Sequence, residues 1–167
     1  MKNAKQVFIA SDHAGFELKA ALQKLHPDAS SAEWKWEDLG PSTPDRVDYP
    51  DYAALLASKI SELSEKGEKA LGVLICGSGI GMSIAANKFP HIRAAAVESV
   101  EAAKLSKEHN NANVLCIGAR LLKKEKAVEM VQSWLETPFT EEPRHQNRIQ
   151  KISELEKTQC ANQKAKT

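Results

Sequence analysis

The sequence predicts an α/β fold: a parallel sheet of about five strands with helices on both faces. Three observations carry that reading. Short apolar runs closed by glycine or polar turns alternate with segments of helical periodicity, about five times along the chain. One or two further helical segments close the chain. Neither a linker nor an internal repeat divides its 167 residues, enough for one domain with a full core. Residues 1–157 are therefore expected to form a single domain, and 158–167 a polar, disordered tail.

The first strand is expected at Val7 to Ala10, ending in Ser11-Asp12-His13-Ala14-Gly15. Leu18, Ala21, Leu22 and Leu25 then recur with helical spacing. Pro27 to Glu33 reads as a polar loop, and the alternation of Trp34 to Leu39 as a second strand. A proline-rich loop from Gly40 to Pro50 follows, long for a mere connection. Tyr52, Leu56, Ile60 and Leu63 mark a helix. Leu71 to Ile75 is short and partly β-branched, a buried third strand with Cys76 as its last residue. A glycine turn leads into helical composition from Met82 to Lys88. Ile92 to Val97 is the expected fourth strand, and Ser99 caps a helix through Glu108. His109-Asn110-Asn111-Ala112-Asn113 forms the turn before the fifth strand, Val114 to Gly118. Glu125 to Leu135 is a helix stopped by Thr137-Pro138, and Ile149, Ile152 and Leu155 indicate a last one.

Bulk properties exclude several classes. The formal net charge is +1, which suggests neither nucleic acid nor a membrane surface as partner. No apolar run approaches membrane-spanning length, and the N-terminus runs into a strand without a signal-peptide core. Three cysteines, none with zinc-finger spacing, suggest free thiols in a reducing cytoplasm. No metal-ligand cluster is visible, and no cofactor is expected.

The stretch with most chemical content is Ile75 to Lys88. Gly77, Gly79 and Gly81 alternate after Cys76, so the pattern is strand, glycine turn, helix. The first N–H groups of a helix lack intrahelical partners and attract an anion. A thiol there should have a lowered pKa. Cys76 is therefore either a thiolate base or nucleophile, with Ser78 and the glycine amides holding an oxyanion, or a small buried hydrophobe. Met82 stands where a dinucleotide fingerprint wants its third glycine, and no Gly-Lys-Ser/Thr follows. The spacing thus disfavours a nucleotide-binding module.

Other candidates gather at strand ends. Asp12 and His13 follow the first strand, at the sheet edge where open α/β proteins bind ligands. A helix N-cap is the plain alternative for Asp12. Tyr49 either closes over a ligand or covers the sheet end. Arg120 lies just past the fifth strand, and Arg144 and Arg148 share a face if their segment is helical. Guanidiniums so placed suit a phosphate, or a solvated basic face. His109 ends a helix and so belongs to the opposite edge of its own sheet; a symmetry mate could bring it to the site, which would need a dimer.

Taken together, Ser11-Asp-His-Ala-Gly, Asp48-Tyr-Pro, the run from Cys76 to Lys88, His109-Asn-Asn-Ala-Asn-Val and Arg144-His-x-x-Arg148 resemble the type B ribose-5-phosphate isomerases. The related galactose-6-phosphate isomerases share that superfamily. The resemblance runs from Val7 to about Leu155. It implies a Rossmann-like three-layer α/β/α sandwich, assembled as homodimers or as tetramers of dimers with sites shared between subunits. By that resemblance Cys76 is the base that moves a proton between C1 and C2 of the open-chain sugar. Ser78 and the loop Gly77, Gly79, Ile80 and Gly81 hold the enediolate oxygens. His109 is the acid that opens the furanose ring, and Asn110 binds a substrate oxygen. Asp12 contacts sugar hydroxyls, Tyr49 lines the site, and His13, Arg120, Arg144 and Arg148 surround the phosphate. Many members have threonine in place of Ser78, and one branch replaces the cysteine by a glutamate at the position of Met82. Here Cys76 is present and Met82 cannot ionise, so the chain resembles the cysteine branch.

The implied activity is interconversion of ribose 5-phosphate and ribulose 5-phosphate through an enediolate. The same chemistry on galactose or allose 6-phosphate is the nearest alternative. Those enzymes usually divide the site between two different subunits, whereas Cys76, His109 and the arginines stand on one chain here. A non-catalytic sugar-phosphate sensor would need the arginines but neither Cys76 nor His109.

Overall fold

The computed structural model describes residues 4–27 and 33–164. Most of the loop expected from Pro27 to Glu33 therefore lies outside the described residues. Five strands form one sheet: β1 (Lys5–Ser11), β2 (Trp34–Asp38), β3 (Ala70–Cys76), β4 (Ala94–Ala96) and β5 (Val114–Gly118). Every pairing is parallel, in the order β2-β1-β3-β5-β4. The helices are α1 (Phe16–Leu22), α2 (Tyr49–Glu65), α3 (Ile80–Ala86), α4 (Val100–Asn110), α5 (Lys124–Glu136) and α6 (Pro143–Lys164).

Side chains alternate across the strands, and each face finds its own apolar layer. Val7, Ile9, Val73, Ile75, Leu115 and Ile117 join residues of α1, α4 and α5 on one face. Phe8, Ala10, Leu74, Cys76, Val114 and Cys116 join residues of α2 and α3 on the other. Both faces are buried over β1, β3 and β5, which is why these strands read as continuous apolar runs rather than half-polar ones. The three-layer sandwich is thus present. Among the described residues no helix is long and apolar enough to cross a membrane.

Several boundaries differ from the sequence reading. A 3-10 turn at His13–Gly15 precedes α1, which stops before Leu25. Tyr49 starts α2 instead of ending the loop, because Pro50 suits a helix's first turn. The helix after the glycine turn begins at Ile80, two residues early, and ends at Ala86. β4 shrinks to three alanines, although the flanking Ile92 and Val97 are buried. α4 carries on through His109 and Asn110 and ends at Asn111, whose φ of 46° is left-handed. α6 starts at Pro143 and runs to Lys164, past the expected domain end at 157, with 165–167 outside the described residues.

Two buried lysines fix loops near the sheet edges. Lys19, 2 % exposed, donates to Asp38 Oδ1 at 2.6 Å and to the Pro41 carbonyl at 2.7 Å. It ties the start of the long loop after β2 to α1. Lys107 donates to the Ala112 carbonyl at 3.0 Å and lies over the Trp134 ring at 4.8 Å. Burial, with Lys5 and Arg93 adding to it, holds its ammonium down to about 7. The turn between α4 and β5 is anchored by these contacts.

Candidate active site

The sheet order places a topological switch between β1 and β3, since the chain winds outward from them in opposite directions. The carboxyl ends of these strands carry Asp12 and Cys76. They are joined directly, with Asp12 N–H donating to the Ile75 carbonyl at 2.9 Å. β5 closes the other side, where Ala119 N–H donates to the Cys76 carbonyl at 2.8 Å and Arg120 N–H to the Gly77 carbonyl at 3.1 Å.

Within this frame Cys76 is 5 % exposed, and its Sγ accepts from the Gly79 N–H at 3.1 Å. Gly79 reaches that position with φ of 78°, in the left-handed region, and a Cβ there would lie 2.9 Å from the Ile117 carbonyl carbon. Ser78 Oγ accepts from Ile80 N–H at 3.3 Å, so the hydroxyl sits at the start of α3. The Tyr49 ring lies against the turn, and a Cβ at Gly81 would come within 2.6 Å of its Cζ. On the opposite flank Arg120 runs beside Gly77, with Cδ and Nη1 both 3.4 Å from where a Cβ would stand.

Asp12 takes the capping role: Oδ1 accepts from Ala14 N–H at 2.9 Å and Gly15 N–H at 3.2 Å. His13 follows in the same turn, with Nδ1 buried and unpartnered among the described residues. Cys116 is fully buried one strand away, and burial, with Cys76 adding to it, pushes its thiol well up. It is inert core. Met82 is fully buried in the layer beneath α3.

The structure brings together Asp12, His13, Tyr49, Cys76 to Gly81 and Arg120. It does not bring His109, Asn110, Arg144 or Arg148 to them. His109 and Asn110 end α4, three residues before Asn113, whose carbonyl accepts from Gly72 N–H near the start of β3. Register pairs Gly72 with Val114 and Cys76 with Gly118. Four residues of strand, about 13 Å, therefore separate the two edges. Arg144 and Arg148 lie on the first turns of α6, both exposed, with Arg144 Nε donating to Glu142 Oε2 at 2.7 Å. The amino-edge group is held together by Thr140, whose N–H and Oγ1 both donate to the Glu108 carbonyl.

One residue of this second group escaped the sequence reading. His145, 3 % exposed, stacks on the His109 ring with centroids 4.3 Å apart and planes 12° from parallel. Its place between the two arginines was its only signal.

Comparison with known proteins bears on this arrangement. The family described as Ribose/Galactose Isomerase matches residues 7–152, a span that holds both groups of residues. The "Probable ribose-5-phosphate isomerase B" of Mycoplasma genitalium is 41% identical over 152 residues, covering 90% of this chain and 95% of that protein. Among solved structures, the type B ribose 5-phosphate isomerase of Trypanosoma cruzi superposes with a TM-score of 0.84 at 39% identity, covering 94% of this chain and 99% of that one. The Mycoplasma genitalium enzyme, solved with bound ribulose-5-phosphate, gives 0.80 at 39% identity, covering 91% and 96%. With the motifs, the sheet order and the switch-point cysteine all in agreement, the chain belongs to the ribose/galactose isomerase family.

Proposed function

We propose that this protein is a cytoplasmic aldose–ketose isomerase that interconverts ribose 5-phosphate and ribulose 5-phosphate. The observation that carries the reading is the Cys76 sulfur, set at the switch point with the Gly79 N–H upon it. The substrate named in the solved relative with bound ribulose-5-phosphate supports the choice of sugar.

The chemistry follows from the residues. As the open-chain aldose reacts, Cys76 takes the proton from C2 and the electron pair left behind forms the enediolate. The same proton returns to C1 while the hydroxyl proton passes from O2 to O1, giving the ketose. A base near its working pH and fixed donors for the developing oxyanion are what such a transfer requires. Cys76 is the base in this reading, and the amides of the glycine turn with the Ser78 hydroxyl are the donors. The phosphate does no chemistry, and its binding energy holds the sugar for reaction. Arg120 and His13 serve it from one side.

The remaining groups come from a second copy of the chain. In this reading two subunits form the working unit. His109 of the partner subunit protonates the furanose ring oxygen as the C1–O bond breaks, and the anomeric hydroxyl gives up its proton to leave the C1 aldehyde. Asn110 of the partner subunit binds a sugar oxygen, and Arg144 of the partner subunit and Arg148 of the partner subunit complete the phosphate site. Exposure of Asn110, Arg144 and Arg148, with Asn110 and Arg144 each next in sequence to a member of the stacked His109–His145 pair, supports this division.

Turnover of ribose 5-phosphate by the purified protein, with chelator present, tests the assignment against galactose and allose 6-phosphate. The expected result is a clear preference for the pentose. Preference for a hexose phosphate would reassign the substrate, and sugar-phosphate binding without turnover would make the protein a sensor.

A further inference from the structure

His145 is the one member of the amino-edge group to which the mechanism above gives no task. It sits in the first turn of α6, and its ring lies flat on His109 at the end of α4. Its Nε2 is buried and has no hydrogen-bond partner among the described residues. The nearest carboxylate oxygen, Glu142 Oε2, is 3.8 Å away, too far for a hydrogen bond, and is engaged by Arg144. A proton on Nε2 would thus be a buried donor left unsatisfied.

We propose that His145 is a positioning residue for ring opening: its imidazole face fixes the plane of the His109 ring and leaves the transferable proton to that ring. The proposal rests on the reading of His109 as the ring-opening acid. Stacking confines His109 to one plane, so its acidic nitrogen keeps one direction. Two imidazolium rings at this separation would repel, so only one of the pair carries charge readily. The buried member is the poorer host. Burial first, then His109 and Arg144, hold the His145 imidazole below the ordinary histidine range against the pull of Glu142, and Arg148 adds to the effect. An uncharged aromatic face beside a charged ring is favourable, whereas a second cation is not.

The chemistry of the two substrates provides a selective test. Ribulose 5-phosphate cannot close a furanose ring, because the C5 oxygen that would attack C2 carries the phosphate. It needs no ring opening. Ribose 5-phosphate does, and without an enzymic acid its consumption is limited by spontaneous opening in solution. Initial rates in both directions are measured against enzyme concentration for wild type, His145→Ala, His145→Phe and His109→Asn, with thermal unfolding of each.

In wild type both rates should rise in proportion to enzyme. In His109→Asn and His145→Ala the ribose 5-phosphate rate should level off at the rate of spontaneous opening, while ribulose 5-phosphate consumption stays proportional to enzyme. His145→Phe keeps a flat aromatic face and should restore proportionality. Proportional rates in His145→Ala would overturn the proposal. So would equal loss in both directions without rescue by phenylalanine, the mark of a merely structural role. If His109→Asn itself stays proportional, the reading of His109 as the acid falls, and the role of His145 with it.

Discussion

Replacing Cys76 by alanine is expected to lower turnover by roughly 10⁴-fold, the upper range for a positioned general base. Its neighbours among the described residues are engaged or buried. Asp12 spends Oδ1 on capping its turn. Met82 is fully buried and cannot ionise. Cys116 is fully buried, with its thiol pushed up by that burial. The loss should fall on kcat, because in the proposed site the groups that bind the phosphate and hydroxyls do not include the sulfur. Kinetics together with calorimetric titration of ribulose 5-phosphate check both parts. Turnover retained in Cys76→Ala would remove the thiol from its role.

Gly79→Ala should be the most damaging substitution in the glycine turn. Left-handed backbone costs a residue with a Cβ about 1–2 kcal/mol. The added carbon would also meet Ile117 backbone atoms at 2.9 and 3.0 Å, and strand backbone cannot swing aside. Overpacking of that kind costs about 1–3 kcal/mol more. A combined loss of about 3 kcal/mol corresponds to a Tm lower by about 6–12 °C in a domain of this size. Activity should fall too, since the Gly79 N–H would leave the sulfur. Gly67→Ala is the matched control, with φ of 77° and nothing within 4 Å of the new carbon. Its cost is strain alone. Thermal unfolding of the two variants separates the terms, and equal shifts would show that the contact with β5 is not as close as described.

Much of the fold was legible because both sheet faces are covered. Burial on both sides makes β1, β3 and β5 apolar runs, and helical spacing fills the gaps between runs. The edge strand β4 was the hardest to bound, since three alanines carry no alternation. Strand order was not readable at all: β5 lies between β3 and β4, and pairing depends on packing of whole helices rather than on local sequence. The carboxyl-edge residues were legible as strand ends followed by glycine or by a turn. The capping role of Asp12 was foreseen as one of two alternatives, and the structure gives it. Placement of His109 at the opposite edge followed from its position at the end of a helix, and the structure puts it there. Its stack on His145 was not legible, because only the fold of the chain after α5 brings the start of α6 against the end of α4.

The central claim is that one chain carries two half-sites and that its partner completes each of them. Mixing subunits tests it most directly. Cys76→Ala chains and Arg144→Ala/Arg148→Ala chains, each inactive or nearly so alone, are unfolded together in equal amounts and refolded. Random pairing puts both intact halves together in about a quarter of all sites. The account predicts recovery of about that fraction of wild-type turnover of ribose 5-phosphate. Activity no greater than the sum of the two parents, in a mixture shown to contain mixed dimers, would contradict it.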